Sequence, residues 1–146
     1  MNQRITIHKE TRPIYDIILN NSYETLPREL EAFHCENKRL CIVSDSAVYA
    51  IYGEKIKEGL KNTAKKIISF VFPAGEENKN LNTVKELYTT LIKNEFDRND
   101  MLLALGGGVV GDLTGYAAAT YLRGIDFIQL PTTLLSQVDS LSLIHI

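Results

Sequence analysis

Short apolar runs and helically spaced apolar positions take turns along most of the chain. Ile14 to Leu19 reads as an early strand, with Arg4 to His8 as its candidate partner. Pro27 suits the first turn of a short helix through Phe33. Arg39 to Val43 is an apolar strand ending in Ser44-Asp45-Ser46, a helix-capping sequence. Val48, Ile51, Tyr52, Ile56 and Leu60 then recur at helical spacing. Lys66 to Phe72 reads as a strand closed by Pro73. Asn80 is placed to cap a helix whose apolar face is Val84, Leu87, Tyr88 and Leu91. Strand 101–105, helix 109–121 and strand 125–130 complete the series.

This alternation predicts an α/β fold, a parallel sheet covered by helices, with ligands held at the carboxyl ends of the strands. The polar motifs fall where that rule expects them, just after strands. Gly106-Gly-Gly-Val-Val-Gly111 follows the apolar run Met101–Leu105 and opens a helix rich in small residues. Glycines let the main chain approach an anion, and bare N–H groups at a helix start supply partial positive charge. The spacing is not GxGxxG, so a tight strand-to-helix turn without ligand is an equal reading of the glycines alone. Asp112 and Arg123 are expected beside this turn, and Pro131-Thr132-Thr133 forms a second polar loop after the next strand.

Composition narrows the field without redirecting it. Of 146 residues, 45% are hydrophobic and 23% charged, ordinary for a soluble globular protein with one core. A net charge of −2 gives no reason to expect a nucleic-acid partner. No apolar run reaches transmembrane length, and the N-terminus lacks a signal-peptide core, so no membrane role and a cytoplasmic location are expected. Cys35 and Cys41 read as two free, buried thiols.

The block GGGVVGDLTGYAAATYLRG, followed by FIQLPTTLLSQVDS, resembles the 3-dehydroquinate synthase family, NAD- and metal-dependent cyclases of the shikimate pathway. The likeness is dense from Gly106 to Ser140 and looser through Ile42–Asp45 and Pro73–Lys79. It implies that residues 1–140 are the Rossmann-like, NAD-binding N-terminal domain of such a fold, with the helical C-terminal domain missing. It also implies the reaction: 3-deoxy-D-arabino-heptulosonate 7-phosphate to 3-dehydroquinate and phosphate. NAD oxidises one alcohol transiently, the neighbouring C–H becomes acidic, phosphate leaves, hydride returns and an aldol step closes the ring. A divalent metal, Zn or Co, polarises the alcohol. The full-length enzyme is expected to be a homodimer acting on a small sugar acid phosphate.

Residue by residue, the resemblance assigns Gly107, Gly108 and Val109 to the pyrophosphate and Asp112 to the adjoining cofactor region. Asp45 is assigned to the adenosine half of NAD, although a plain N-cap serves nearly as well on sequence alone. Glu76 and Lys79 match G-E-x-x-K and are implied to close over the ribose as acceptor and donor; a solvated turn is their ordinary alternative. Thr132, Thr133 and Leu135 are implied to hold the nicotinamide half, with helix capping as the alternative for the threonines. Asp139 and Ser140 complete the cofactor contacts. Arg123 and Asp139 are implied substrate contacts, and a surface arginine at a helix end is the alternative for Arg123.

The chain departs from the family in two places. Ala47 stands where the family often carries an Asn. After Ser140 a Gly-Gly-Lys segment is expected, yet the chain reads Leu141-Ser-Leu-Ile-His-Ile146. The substrate lysine is missing, and His145 falls near its place. The metal ligands, a glutamate and two histidines, belong to the helical domain, so no metal site is expected here. Residues 141–146 are expected to be a non-native tail, since the end of a transposase sequencing adapter translates to the same six residues. Two other readings stay open: another sugar phosphate cyclase of the 2-deoxy-scyllo-inosose synthase kind, and a non-catalytic nucleotide-binding module. A metal-dependent alcohol or glycerol dehydrogenase shares the fold, but the long YLRG…PTT…VDS run argues against it.

Overall fold

Four parallel strands in the order β4-β3-β5-β6 carry the fold, which we describe from a computed structural model. The structure describes residues 2–143, with backbone only for Asn2 and for 139–143. The strands are β3 (Arg39–Asp45), β4 (Lys66–Phe72), β5 (Met101–Gly106) and β6 (Asp126–Pro131). Each agrees with the apolar run predicted for it to within two residues. Upstream, β1 (Asn2–Lys9) and β2 (Arg12–Asn20) form an antiparallel hairpin as a separate two-stranded sheet. Arg4 ties this hairpin to Asp16 and, across to α1 (Leu26–Glu31), to Glu29.

The central strand β5 is buried along its whole length, which is why it reads as an unbroken apolar run. Its side chains alternate between two cores. Leu102 and Ala104 face Val84, Leu87 and Leu91 of α4 (Leu81–Lys93) and Val110, Leu113 and Ala117 of α5 (Gly108–Thr120). Met101, Leu103 and Leu105 face Leu30 of α1 and Ile56 and Leu60 of α3 (Glu54–Leu60). The helix predicted from Val48 to Leu60 starts as α2 (Ser46–Val48) and passes through a π-helical stretch, Tyr49–Gly53, before α3. A Cβ on Gly53 would run into the Tyr49 ring, so the glycine makes room for that ring. The Tyr49 hydroxyl reaches Ser69 on β4 at 2.8 Å and donates to Glu54 at 2.9 Å.

Chain order and strand order part company at β3. From β3 the chain goes outward to β4, then returns across β3 to β5 and β6. The topological switch point lies between the carboxyl ends of β3 and β5, where open α/β sheets hold their ligands. At the opposite, amino edge, buried Asp100 clamps the sheet. Its carboxylate accepts the backbone N–H groups of Arg39 and Asp97, each at 2.7 Å. Both cysteines are free and buried, as expected, and burial pushes the Cys41 thiol up to about 12.

Candidate functional site

Parallel strands share a carboxyl edge, so the segments after β3, β4, β5 and β6 meet on one rim. Asp45, Gly107, Gly108 and Thr132 all stand on it, as the sequence predicts. Ser44 fastens the switch point, its buried Oγ donating to the Leu105 carbonyl at 2.7 Å. Ser46 links the neighbouring segment by accepting the Ala74 N–H at 3.0 Å. Neither serine was singled out as a site residue from the sequence. The available signal was a small polar side chain closing an otherwise apolar strand.

Four helices start on this rim, and three of them are capped by their own side chains. Asp45 accepts the Val48 N–H at 2.9 Å at the start of α2. Asn80 accepts the Thr83 N–H at 3.0 Å at the start of α4. Thr133 and Ser136 cap α6 (Leu134–Leu143) reciprocally: Thr133 Oγ1 accepts the Ser136 N–H at 3.1 Å and Ser136 Oγ accepts the Thr133 N–H at 3.3 Å. The fourth, α5, begins at Gly107 with no side-chain cap among the described residues. Its first N–H groups have no intrahelical acceptor, because the ladder starts with Gly111 N–H to Gly107 O at 3.0 Å.

The three glycines have different physical jobs. Gly106 is buried, and a Cβ there would lie 2.5 Å from Val110 Cγ2 and 2.8 Å from Val110 Cβ, so close packing excludes any side chain. Gly107 would place a Cβ 3.6 Å from Thr133 Cγ2, an ordinary contact. Gly108 faces open space among the described residues, with none of their atoms within 4 Å of its Cβ position. A side chain at Gly108 would occupy that space in front of the bare N–H groups. Val109 packs its side chain toward the α4–α5 core, which leaves only its N–H for an anion.

Asp112 and Lys79 meet at this rim, Nζ to Oδ2 at 2.7 Å, with Glu76 at 3.8 Å from the same ammonium. The ion pair with Asp112 holds the Lys79 ammonium above the usual lysine range. Asp112 is the fifth residue of α5, just past the first turn, and Lys79 is its partner there. On the β6 side, the Thr132 N–H donates to Gly106 O at 3.0 Å, while Thr132 Oγ1 is buried with no partner among the described residues. Leu134, Leu135 and Val138 present exposed apolar side chains on α6. The side chains of Asp139 and Ser140 lie outside the described residues, as does His145.

Arg123 is the exception to this convergence. The expectation that it stands beside the glycine turn is corrected by the direction of α5. That helix starts at the rim and runs 13 residues back toward the amino edge, a distance of about 20 Å. Arg123 sits there in a left-handed turn with Leu122, at φ values of 70° and 48°, just before β6. Within one chain it does not share a site with Gly108.

A bare helix start, an open approach over Gly108 and an unpartnered buried hydroxyl together fit the phosphates and polar edge of a dinucleotide. For a metal the residues do not fit: among those described, no three His, Cys, Asp or Glu side chains gather to hold one. No helix of the described residues is long and apolar enough to cross a membrane.

Known proteins share both the sequence pattern and the fold of this chain. The family model of the 3-dehydroquinate synthase N-terminal domain matches residues 69–142. The 3-dehydroquinate synthase of Crocosphaera subtropica is 46% identical over 127 residues, which are 86% of this chain and 34% of that protein. The Streptococcus thermophilus enzyme is 49% identical over 105 residues, 72% of this chain and 30% of its own. Among solved structures, 2-deoxy-scyllo-inosose synthase superposes with a TM-score of 0.78 at 26% identity, covering 96% of this chain and 38% of that one. The 2-epi-5-epi-valiolone synthase of Streptomyces hygroscopicus, with NAD+ and Zn2+ bound, gives 0.73 at 29% identity, covering 94% and 37%. An iron-containing alcohol dehydrogenase of Thermotoga maritima, at 20% identity and 0.57 over 75% of this chain and 34% of its own, shares the fold alone. This chain spans about a third of the length of the curated relatives it matches. On the family match and the identity of these relatives, it belongs to the 3-dehydroquinate synthase family.

Proposed function

We propose that this chain is the NAD-binding part of a 3-dehydroquinate synthase. The complete enzyme releases phosphate from 3-deoxy-D-arabino-heptulosonate 7-phosphate in the cytoplasm, as a homodimer. The observation that carries the reading is the start of α5, uncapped by any side chain and open over Gly108 among the described residues. The N–H groups of Gly108 and Val109 hold the pyrophosphate. Asp45 keeps one carboxylate oxygen on the Val48 N–H and offers the other to the adenosine ribose. Thr132 Oγ1 donates or accepts at the nicotinamide half, and Leu135 packs beside it. Glu76 and Lys79 close the ribose side. When bound, NAD supplies a hydride acceptor that returns its hydride. The divalent metal belongs to the part of the relatives that this chain does not span. Identity of 46% to 3-dehydroquinate synthases, against 26% to 2-deoxy-scyllo-inosose synthase, favours the first substrate over the second.

Two measurements test this. Calorimetric titration of NAD into the 146-residue chain should give saturable binding with one site per chain; no binding would overturn the nucleotide assignment. Joined to the remaining two thirds of the Crocosphaera enzyme, the chain should release phosphate from the seven-carbon substrate with NAD and a divalent metal. A folded, NAD-binding chimera without turnover on that substrate would overturn the substrate assignment.

A further inference from the structure

Asp112 stands four residues along α5 from Gly108, so the two share one helix face about one turn apart. That turn separates a carboxylate from the bare N–H groups by roughly 6 Å. The helix start carries about half a positive charge. A full negative charge one turn behind it would cancel that attraction for an anion. The Lys79 ammonium, 2.7 Å from the Asp112 carboxylate, supplies the opposing charge from the loop before α4. Glu76 approaches the same ammonium from a more exposed position at 3.8 Å, so the closer partner is Asp112.

We propose that Lys79 keeps the α5 cradle electropositive by neutralising Asp112, and so acts on a bound pyrophosphate through Asp112. This makes Lys79 a positioning residue in addition to any contact with the ribose. The proposal deepens the nucleotide reading given above and rests on it. The pair is more than a third exposed, so its worth as a stabilising ion pair is small. Its effect belongs in ligand affinity.

The test is a double-mutant cycle read by calorimetric titration of NAD into the 146-residue chain, with thermal melting alongside. Lys79→Met should weaken NAD binding roughly tenfold. Lys79→Arg, which keeps the charge, should retain it. In an Asp112→Asn background, Lys79→Met should cost less than about threefold. Equal losses in both backgrounds would mean that Lys79 acts by direct contact alone, and would overturn the proposal. So would coupling that appears in Tm and not in affinity, the mark of a structural strut. A wild-type chain that binds no NAD would overturn the nucleotide reading as well; binding without coupling would overturn this proposal alone.

Discussion

The Ser44 hydroxyl donates to the Leu105 carbonyl across the switch point at 2.7 Å, joining two strands whose hydrogen-bonded residues lie 61 positions apart. Ser44 is fully buried, so water cannot replace the bond. Ser44→Ala should cost about 1 kcal/mol and lower Tm by roughly 4 °C. Chemical denaturation of both proteins checks it. An unchanged midpoint would show that the hydroxyl contributes nothing.

Gly106 and Gly108 should separate folding from binding. Gly106→Ala drives a Cβ into Val110 and should destabilise the chain by about 1–3 kcal/mol. Gly108→Val meets open space and should leave Tm near that of wild type, since valine is no poorer a helix former than glycine. Yet it should abolish NAD binding by filling the approach to the bare N–H groups. Unchanged NAD affinity in Gly108→Val would refute the cradle.

Asp45 combines a structural and a binding task, and two substitutions divide them. Asp45→Asn keeps an oxygen for the Val48 N–H, so stability should hold while NAD affinity falls. Asp45→Ala should lose about 1 kcal/mol in addition. Equal NAD affinity in wild type and Asp45→Asn would leave the residue a cap and nothing more.

Arg123 lies at the amino edge, so Arg123→Ala should leave NAD affinity of the isolated chain unchanged within about twofold. A tenfold loss in calorimetric titration would show that the edge assignment misplaces it.

Cys41 is fully buried, and desolvation lifts its thiol from near 9 to about 12. The native chain should therefore not react with a thiol reagent at pH 8 through Cys41, whereas the unfolded chain should react at both cysteines. The folded form binds the extra proton between those two values, so this group's contribution to stability is complete below pH 9 and is lost as pH rises toward 12. A denaturation midpoint that rises over that window in wild type relative to Cys41→Ala would contradict the sign.

Much of this was legible in the chain because periodicity reports burial. Met101–Leu105 is apolar throughout because both faces of β5 are covered, and Asn80 announced the α4 cap in advance. The π-helical stretch was not legible. Within it the Tyr49 ring lies over Gly53 and its hydroxyl reaches Ser69 on β4, a tertiary contact with no local pattern. The Lys79–Asp112 pair was visible only as two separate charges, since 33 residues divide them. Arg123 could have been placed correctly: a helix of 13 residues after a strand returns the chain to the far edge of the sheet, and counting would have shown it.

The position of β3 also governs how the sheet assembles. Its two neighbours are β4, which follows it, and β5, which is made only after α4. No local hairpin can start this sheet, because every pairing in it is parallel and needs a crossover. During synthesis β3 and β4 can pair first, and one edge of β3 then remains open to solvent until Gly106 has left the ribosome. Non-local pairing of this kind is slow and leaves sticky edges exposed. Until β5 is made, a nascent copy can join another through that edge.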